Sequence, residues 1–451
     1  MKFIVLVCLL SFCSFLDATP VNMTSEPNVF MKRISQTSWE QSNDIQFDSD
    51  VTLDTLEMIR KADYPAEAYV TITEDGYILT LHRIPGGNGS LPVLLQHGLL
   101  CTSADWLFLG KDKALAYLLA DQGYDVWLSN YRGNTYSRKH ISLSPSELKF
   151  WNFSFHEMGI YDLPAMITFI TNMTSQPLHT YIGHSMGTTG FYIMASERPE
   201  IAQMVQKMIS LSPVAFTNHM ESKIKYLIPL WTELKMIIRY FFHDEFLPQS
   251  DILKFLSKYL CEQNLEENIC VDIIFLICGY DREQFNYTLL PVILNHDLAG
   301  TSSKTLMHYV QIYQSGKFRQ YDYGREKNQL IYNSAEPPDY NLSNITVPIA
   351  LLYGRGDLIV NIVTLQPIIL SDFLDGTSAK AMEHYAQGIQ SGKFRKYDYG
   401  RARNQLIYNS AEPPDYNLAN ITVPSALFYG SGDLLVNIVV IRSRDLFVLV
   451  V

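Results

Sequence analysis

The sequence predicts an α/β fold in which helices flank a mostly parallel sheet and a helical segment is inserted over it. Between residues 92 and 215, short apolar runs that end at a glycine or a small polar residue alternate with helix-like segments. Such alternation is typical of a parallel sheet covered on both faces. A block rich in Phe, Leu and Ile, from about residue 214 to residue 304, then breaks the pattern and is interpreted as the insertion.

The elements can be assigned in chain order. Residues 69–84 alternate in polarity about Glu74-Asp75-Gly76, which predicts a β-hairpin. Four apolar runs follow, with one helix predicted between the first two and another after the third. The strands are expected within 92–100, 124–134, 179–187 and 208–215, and the helices within 112–122 and 188–197.

Composition and charge exclude several classes of protein. Of the 451 residues, 47% are hydrophobic and only 18% are charged, which excludes a disordered chain. The net charge of -11 provides no electrostatic footprint for nucleic acid and no attraction to an anionic membrane. Contact with lipid would therefore have to be hydrophobic. The sequence indicates no metal and no cofactor, and it does not indicate an oligomeric state.

The first eighteen residues predict a signal peptide. Lys2 precedes an apolar run from Phe3 to Leu16, and Ala18 supplies a small residue near the expected cleavage point. This run is too short to span a bilayer, and no later stretch reaches the roughly 18–20 apolar residues of a membrane helix. We therefore expect a cleaved signal, no transmembrane anchor, and a location that is either extracellular or in the lysosomal lumen.

Secretion gives meaning to the sequons and the cysteines. Cys8 and Cys13 would leave with the signal, and Cys261 and Cys270 lie nine residues apart in a polar loop as a candidate disulfide. Cys101 and Cys278 have apolar surroundings typical of buried thiols; the alternative is that all four remaining cysteines are free. The candidate glycosylation sites are Asn22, Asn88, Asn152, Asn172, Asn286, Asn341, Asn344 and Asn420.

The chain contains one internal repeat. Residues 291–363 recur at 367–439 with an offset of 76 residues, and the run QLIYNSAEPPDYNL is identical in both copies. A solenoid requires at least about three stacked units, which excludes that architecture. Each copy carries a strand-like run followed by an acidic turn, and a single sheet needs that strand only once. The repeat is interpreted as a duplicated coding segment, either real or introduced during gene assembly.

A candidate nucleophile lies in the sequence Gly183-His184-Ser185-Met186-Gly187. This is a G-x-S-x-G motif between a predicted strand and a predicted helix, where glycines allow the strained turn that exposes the serine hydroxyl. His97-Gly98-Leu99 closes an earlier strand and can direct the backbone N–H of Leu99 toward the same place as the N–H of Met186. Two such donors would form an oxyanion hole for acyl transfer.

The motifs resemble one family closely. LLQHGLL, DVWLSNYRGNTYSRKH, FWNFSFHEMGIYDLPAMI and YIGHSMGTTG are similar to those of the animal acid lipase family, which includes gastric and lysosomal acid lipases. The resemblance runs from about Asp50 to Asp357 and implies an α/β-hydrolase fold with a cap or lid. It also implies hydrolysis of triacylglycerols and, in some members, cholesteryl esters at a lipid–water interface. Cys261 and Cys270 fall where the family has its cap disulfide.

This resemblance divides the chain into segments. They are a signal peptide at 1–18, the N-terminal part of the core at 19–213, the cap or lid at 214–304, the C-terminal part of the core at 305–363, the repeat at 367–439, and an atypical C-terminus at 440–451. Phe241, Phe242, Phe246 and Leu247 are expected to form the acyl tunnel or lid, with plain core packing as the alternative.

The remaining members of a catalytic triad are unequally supported. In this fold the acid follows the serine and precedes the histidine. Asp357 in LLYGRGD is the preferred acid, and Asp433 is its counterpart in the repeat. The family's histidine motif is missing, and His384, 27 residues after Asp357, is the single histidine beyond it in the sequence. Because His384 is the counterpart of His308, the favoured interpretation is a structural histidine and the alternative is a substitute base.

Two other histidines near the motif have structural interpretations. We expect His184 to be a packing residue that points away from the serine, and His97 to shape the oxyanion turn, with a substrate contact as its alternative role.

Three hypotheses remain at this point. The first is an ester hydrolase that uses Ser185, Asp357 and the two oxyanion donors. The second is a lipid-binding protein that keeps the pocket but has lost the base, since a serine hydroxyl needs a base to attack an ester. The third is a misassembled chain, because a copied strand has no place in the sheet and the family's final strand and helix are not evident in its last residues.

Overall fold

In the computed structural model, the chain divides into two compact units, Met1–Asp372 and Phe373–Val451. The structure describes residues 52–247, 289–354, 357–359, 379–417, 425–429 and 446–450. The predicted signal peptide, Asp433 and the cysteines at 261, 270 and 278 lie outside these ranges.

The first unit contains a mixed sheet in the order β1-β2-β4-β3-β6-β7-β10, with β5 paired to β2 at one side. Its first part is antiparallel, and β4, β3, β6, β7 and β10 are parallel to one another, which confirms the predicted fold class. The strands are β1 Glu67–Ile72, β2 Tyr77–Ile84, β3 Pro92–Gln96, β4 Asp125–Ser129, β5 Lys139–His140, β6 Thr180–His184, β7 Met208–Leu211 and β10 Ile349–Leu352. A separate two-stranded ladder joins β8 Glu245–Phe246 to β9 Thr301–Ser302.

Helices cover the sheet and form the described part of the insertion. The helices that the structure describes in the first unit are α1 Thr55–Lys61, α2 Leu115–Asp121, α3 Leu163–Thr174, α4 Met186–Glu197, α5 Pro199–Ala202, α6 Trp231–Phe242, α7 Leu290–His296, α8 Ser303–Ser315 and α9 Arg325–Tyr332. A short helix at Phe155–Glu157 and a π-helical turn at Met158–Asp162 lead into α3, and 3₁₀ segments lie at Ser103–Trp106, Lys223–Leu230 and Leu342–Asn344.

Local signals in the sequence explain several boundaries. Asp54 caps α1 in a reciprocal capping box with Glu57, which satisfies two backbone donors of the first turn. The hairpin β1–β2 is confirmed, with Ile72 opposite Ile78 next to the turn. The helix predicted over 112–122 begins only at Leu115, because residues 110–114 form turns closed by bonds such as Ala114 N–H to Gly110 O.

The strands bury both of their faces. Leu94 and Trp127 pack into the larger apolar cluster on one side of the sheet. Val93 and Val126, their neighbours in the chain, pack into the smaller cluster on the other side. Since successive side chains of a strand point to opposite faces, this partition requires cover on both faces. The two apolar clusters therefore hold the sheet between two layers. The loops that follow the parallel strands lie at the carboxyl edge of the sheet.

Among its described residues, the second unit contains α10 Ala379–Ser391, α11 Arg401–Tyr408 and the parallel strands β11 Ser425–Tyr429 and β12 Leu446–Val450. The duplicated strand is thus paired with the end of the chain in a sheet of two strands.

Candidate active site

Ser185 lies between the last residue of β6 and the first residue of α4, as the motif predicts. Its backbone has φ 50° and ψ -115°, a conformation that a residue with a side chain avoids. Its N–H donates to the carbonyl of Leu211 at the end of β7, with an N···O distance of 3.0 Å. The side chain is half-buried, so the hydroxyl lies at the carboxyl edge of the sheet and keeps access to solvent.

The glycines of the motif are required by close backbone contacts. A Cβ at Gly187 would lie 2.5 Å from the carbonyl oxygen of Gln96, and one at Gly183 would lie 2.9 Å from the carbonyl carbon of Gly187. A Cβ at Gly98 would lie 3.3 Å from the Cβ of Ser185. These distances show that α4 begins against the end of β3 and that the His97-Gly98-Leu99 turn contacts the candidate nucleophile.

Thr188 fixes this turn and was not anticipated from the sequence. Its hydroxyl donates to the carbonyl of Ser185 with an O···O distance of 2.6 Å and accepts from the N–H of Val214 at 2.9 Å. The loop after β7 is thereby connected to the serine's own peptide group. The sequence signal was a threonine three residues after the serine, at the first turn of a predicted helix, but nothing in the sequence places Val214 beside it.

The two predicted oxyanion donors have N–H groups without an acceptor. Among the described residues, neither the N–H of Leu99 nor that of Met186 donates a hydrogen bond. His97 shapes the turn that carries Leu99, because its Nδ1 contacts the carbonyl of Gly98 at 2.7 Å and its Nε2 accepts from the N–H of Tyr131 at 3.1 Å. Burial lowers the pKa of His97, and both of its ring nitrogens are occupied by structural bonds.

Asp357 lies at the same edge of the sheet. Asp357 follows β10, which pairs in parallel with β7. Strand β7 pairs in parallel with β6, which ends beside Ser185. The N–H of Asp357 donates to the carbonyl of Gly354 at 3.1 Å, and its Oδ1 accepts from the N–H of Ile359 at 2.9 Å. The Asp357 carboxyl group thus stabilises a tight turn after β10, which lies two strands from β6 in the sheet.

The base remains a prediction. The hydroxyl of Ser185 makes no hydrogen bond to a histidine within the described part of the chain. Desolvation lowers the pKa of His184, while the carboxylates of Asp105 and Asp357 act in the opposite direction. The Nδ1 of His184 lies over Gly98, where an added Cβ would approach it to 3.1 Å. The residue is nevertheless exposed, so the packing role of His184 stays a prediction.

His384 occupies in the second unit the same setting that His308 has in the first. Nε2 of His384 contacts the carbonyl of Arg395 at 2.8 Å, and Nε2 of His308 contacts that of Arg319 at 2.9 Å. His308 also bonds Ser154 through Nδ1 at 3.0 Å and stacks on Phe155 at 4.0 Å. The correspondence supports the structural interpretation of His384, and its role as a base stays a prediction.

A pair of acids lies behind the oxyanion turn. The thiol of Cys101 and carboxyl oxygens of Asp105 and Asp297 lie within 4.8 Å of one another. Burial and the neighbouring carboxylate of Asp105 raise the pKa of Asp297 well above its usual range. A metal ligand has to lose its proton, whereas this carboxyl group tends to keep one, so the pair is better suited to sharing a proton than to holding an ion.

The same turn is held to the end of the insertion by the main chain. The N–H of Ala299 donates to the carbonyl of Leu100 with an N···O distance of 2.8 Å. Leu100, one residue after Leu99, has φ 64°, so the backbone here is again in the left-handed region. The position of the oxyanion turn therefore depends on residues almost two hundred positions later in the chain.

Comparison with known proteins now adds to this geometry. A family model described as "alpha/beta hydrolase fold" matches residues 92–444, and one described as "Partial alpha/beta-hydrolase lipase region" matches residues 55–110. Gastric triacylglycerol lipase of Homo sapiens is 40% identical over 323 residues, which cover 69% of this chain and 80% of that protein. The chain belongs to the animal acid lipase family.

Two other relatives agree with this membership. Lysosomal acid lipase/cholesteryl ester hydrolase of Homo sapiens is 40% identical over 70% of this chain and 80% of its own length. Lipase 1 of Drosophila melanogaster is 42% identical over 71% of this chain and 70% of its own length. By family, this acid lipase chain is a hydrolase acting on carboxylic ester bonds.

Helix α6 of this acid lipase exposes apolar side chains. Met236 is 66% exposed, Tyr240 79% and Phe241 42%, all on α6. Phe242, Phe246 and Leu247 are half-buried, so the predicted lid residues do not form a closed core within the described residues. No helix among those residues has the length and apolarity that a bilayer crossing requires.

The predicted modification sites divide into exposed and undescribed positions. Five sequon asparagines are exposed on this acid lipase: Asn88, Asn152, Asn172, Asn341 and Asn344. The amide of Asn344 already donates to the carbonyl of Ser196 at 3.0 Å. Cys101, which was expected to be a buried thiol, is half-buried, and its Sγ contacts the carbonyl of Leu99 at 3.3 Å. The other predicted modification sites, Asn22, Asn286, Asn420 and the Cys261–Cys270 pair, lie outside the described residues.

Proposed function

We propose that this chain is a serine lipase that hydrolyses neutral lipids, with triacylglycerol as the principal substrate class and cholesteryl ester as the second. The Ser185 Oγ would form a bond to the ester carbonyl carbon, a base would take the hydroxyl proton, and the alcohol would leave with a proton. Water would then hydrolyse the acyl-serine and restore the hydroxyl. Asp357 would orient the base, and Leu99 and Met186 would donate to the oxyanion.

The observation that carries the proposal is the strained turn of Ser185 beside two unoccupied backbone donors. Backbone strain of this kind persists only where the surrounding structure enforces it, and it is concentrated at functional sites. Here Leu211 and Thr188 enforce it through three hydrogen bonds to the Ser185 peptide groups. The names of the relatives, gastric triacylglycerol lipase and lysosomal acid lipase/cholesteryl ester hydrolase, support the substrate class.

The proposed site of action is a lipid–water interface. The exposed apolar face of α6 supports this, because single exposed apolar residues are ordinary while a cluster on one helix is typical of an interaction surface. The predicted signal peptide, the exposed sequons and the proposed Cys261–Cys270 disulfide agree with an extracellular or lysosomal location. No oligomeric state is proposed.

A fluorophosphonate ester probe tests the nucleophile. We expect the probe to label the purified full chain, and to fail to label Ser185→Ala, because phosphonylation requires the serine hydroxyl and a base. Mass spectrometry of the labelled peptide identifies the site, and hydrolysis of an emulsified triacylglycerol follows turnover. Ser212→Ala, a serine after the neighbouring strand, is the matched control and should keep its labelling. Labelling of Ser185→Ala to the same extent would exclude the proposed nucleophile.

A second candidate function is lipid binding without turnover. It is favoured by one observation, the lack of a histidine hydrogen-bonded to the Ser185 hydroxyl within the described residues. Loss of the base of a serine hydrolase costs on the order of a million-fold in turnover, as in the subtilisin example. A folded chain that binds triolein emulsions but reacts with no probe would support this function. Loss of labelling in His384→Gln would instead identify the substitute base.

A further inference from the structure

A cavity of about 340 Å³ lies in the first unit, and Ser185, Leu99 and Met186 are not among its lining residues. Five cationic side chains and one carboxylate line it, and we call it the basic pocket. They are Lys149, Lys235, Arg239, Lys304, Lys327 and Asp244. This concentration of positive charge is contrary to the net charge of -11 of the whole chain.

The basic pocket is assembled from separate elements. Lys235 and Arg239 lie one turn apart on α6, Lys304 is in the first turn of α8, and Lys327 is on α9. Cations held close together repel one another unless anions compensate them. The fold therefore maintains an unfavourable charge arrangement, which an anionic ligand would relieve.

The acids at the basic pocket are already engaged. Asp244 accepts from the hydroxyl of Ser303 with an O···O distance of 2.8 Å. Glu157 pairs with Lys304 at 3.0 Å, and this pair is mostly buried. In the part of the chain that the structure describes, Lys149, Lys235, Arg239 and Lys327 form no ion pair.

The electrostatics of Lys235 agree with uncompensated charge. Burial lowers the pKa of Lys235, Asp244 acts against this shift, and Arg239 and Lys304 add to it. Lys235 Nζ has one neutral partner, the hydroxyl of Tyr321, at 3.4 Å.

The polar groups of the basic pocket are mainly donors. Ammonium and guanidinium groups donate and cannot accept, and the tyrosine hydroxyls can donate as well. Lys327 Nζ lies 4.6 Å from the ring centre of Tyr323, and Lys304 Nζ lies 5.1 Å from it, so this ring forms an aromatic wall beside two of the cations. A ligand that fits must carry negative charge and several acceptor oxygens. A phosphate group meets both requirements.

We propose that the basic pocket binds an oxyanion of the phosphate class. The group could belong to free phosphate or to the headgroup of an anionic phospholipid. The same helix that supplies Lys235 and Arg239 also exposes Met236 and Tyr240, so a headgroup in the pocket would bring apolar side chains to the lipid. This second source rests on the proposed function at a lipid–water interface, whereas binding of the oxyanion itself does not.

Calorimetric titration of the full chain with sodium phosphate tests the site directly. We expect binding that weakens at least about tenfold in Lys235→Gln/Arg239→Gln, since two charge-assisted contacts are removed. A second variant, Lys149→Gln/Lys327→Gln, changes two exposed cations and should weaken binding similarly. Lys113→Gln/Lys207→Gln removes the same charge from exposed positions outside the basic pocket and should bind like the wild type. Thermal melting verifies that each variant is folded.

Vesicle flotation distinguishes the two sources. Preference for phosphatidylglycerol over phosphatidylcholine vesicles, lost in both pocket variants and kept in the control, assigns the phospholipid headgroup. Pocket-dependent phosphate binding without that preference assigns the free anion. If folded wild-type protein binds neither phosphate nor phosphatidylglycerol, or if pocket and control variants behave alike, the proposal is wrong. Because neither measurement requires turnover, failure of Ser185 to react with the probe leaves these outcomes unaffected.

Discussion

At the scale of single residues, Ser185 shows how the site stores strain. Its φ of 50° with ψ of -115° costs on the order of 1–3 kcal/mol, and the bonds to Leu211 and Thr188 offset that cost. Gly183 and Gly187 are needed because neighbouring backbone leaves no room for a Cβ. These requirements are local, which is why the pentapeptide and its position after a strand were predictable from the sequence.

The Asp105–Asp297 pair could not be predicted, because its members are far apart in the chain and belong to different elements. No periodicity or motif brings Asp297 to the oxyanion turn; the contact arises from packing of the residues after α7 against the loop after β3. Thr188 and its bond to Val214 are unpredictable for the same reason. Sequence patterns predicted residues such as Gly183 and Gly187, which are required by the local backbone conformation. They did not predict residues such as Asp297 and Thr188, which act through tertiary contacts.

We predict that Asp297 makes stability fall as the pH rises. Folding raises the pKa of Asp297, so the native chain keeps a proton that the unfolded chain releases above an aspartate pKa of about 4. The free energy of unfolding should therefore decrease from that pH upward. Asp297→Asn should flatten this decrease in melting temperatures measured from pH 4 to 8. Asp112→Asn, at an exposed position, is the control. Equal slopes in the wild type and Asp297→Asn would contradict the assignment.

At the scale of elements, Arg132 connects the hairpin to the helical layer. Its guanidinium bonds Asp162 at 2.6 Å and Asp75 at 2.5 Å, and its side chain is completely buried. Burial disfavours its charge, but the two carboxylates raise the pKa of Arg132 above its ordinary value. The predicted hairpin turn at Glu74–Gly76 is thus fixed by a buried charge network that hydrophobic periodicity does not reveal.

Removing the guanidinium should be costly. Arg132→Gln leaves the buried Asp162 carboxylate and Asp75 without their partner, and we expect the free energy of unfolding to fall by about 3–5 kcal/mol. Urea unfolding followed by circular dichroism measures the loss. Glu336→Gln breaks the exposed pair with Arg319 and should cost about 0–1 kcal/mol. A loss of less than 1 kcal/mol in Arg132→Gln would show that water or neighbouring groups replace the guanidinium.

At the scale of the whole molecule, the two copies of the repeat have different surroundings. In the first unit, Lys304 is buried against Glu157. Burial would raise the pKa of Glu157, but the positive charge of Lys304 lowers it to about 2. In the second unit, the equivalent Lys380 is exposed. Its Nζ bonds the hydroxyl of Tyr399 at 2.7 Å, as that of Lys304 bonds Tyr323 at 3.0 Å.

The copies therefore provide an internal control. Lys304→Gln should lower the free energy of unfolding of the first unit by about 3–5 kcal/mol, because it leaves Glu157 buried and unpaired. Lys380→Gln removes the same side chain from the same local setting and should change stability by less than about 0.5 kcal/mol. Urea unfolding of both variants, followed by circular dichroism, compares the two. Similar effects would mean that the tyrosine contacts, and not Glu157, determine the contribution of the lysine.

The fold class was predictable at this scale because alternating strands and helices restrict an α/β sheet to few arrangements. The parallel strands β3, β4, β6 and β7 lie where apolar runs ending in glycine or small polar residues predicted them. The basic pocket was not predictable, since Lys149, Lys235 and Lys327 come from three elements whose packing the sequence does not encode locally. The pairing of β11 with β12 was not predictable either, because no local pattern in the sequence places these two runs side by side.

The repeat has one more consequence, which concerns the order in which the chain folds. Both copies close the same short-range bonds: Gln311 to the carbonyl of Asp322 at 2.7 Å and Gln387 to that of Asp398 at 2.9 Å. The second copy makes them without the burial that the first receives from the core. A segment whose bonds are satisfied within forty residues behaves as a foldon, a cooperative unit that can form early. We therefore expect each copy to fold locally, and to be able to form in a nascent chain before the sheet is complete.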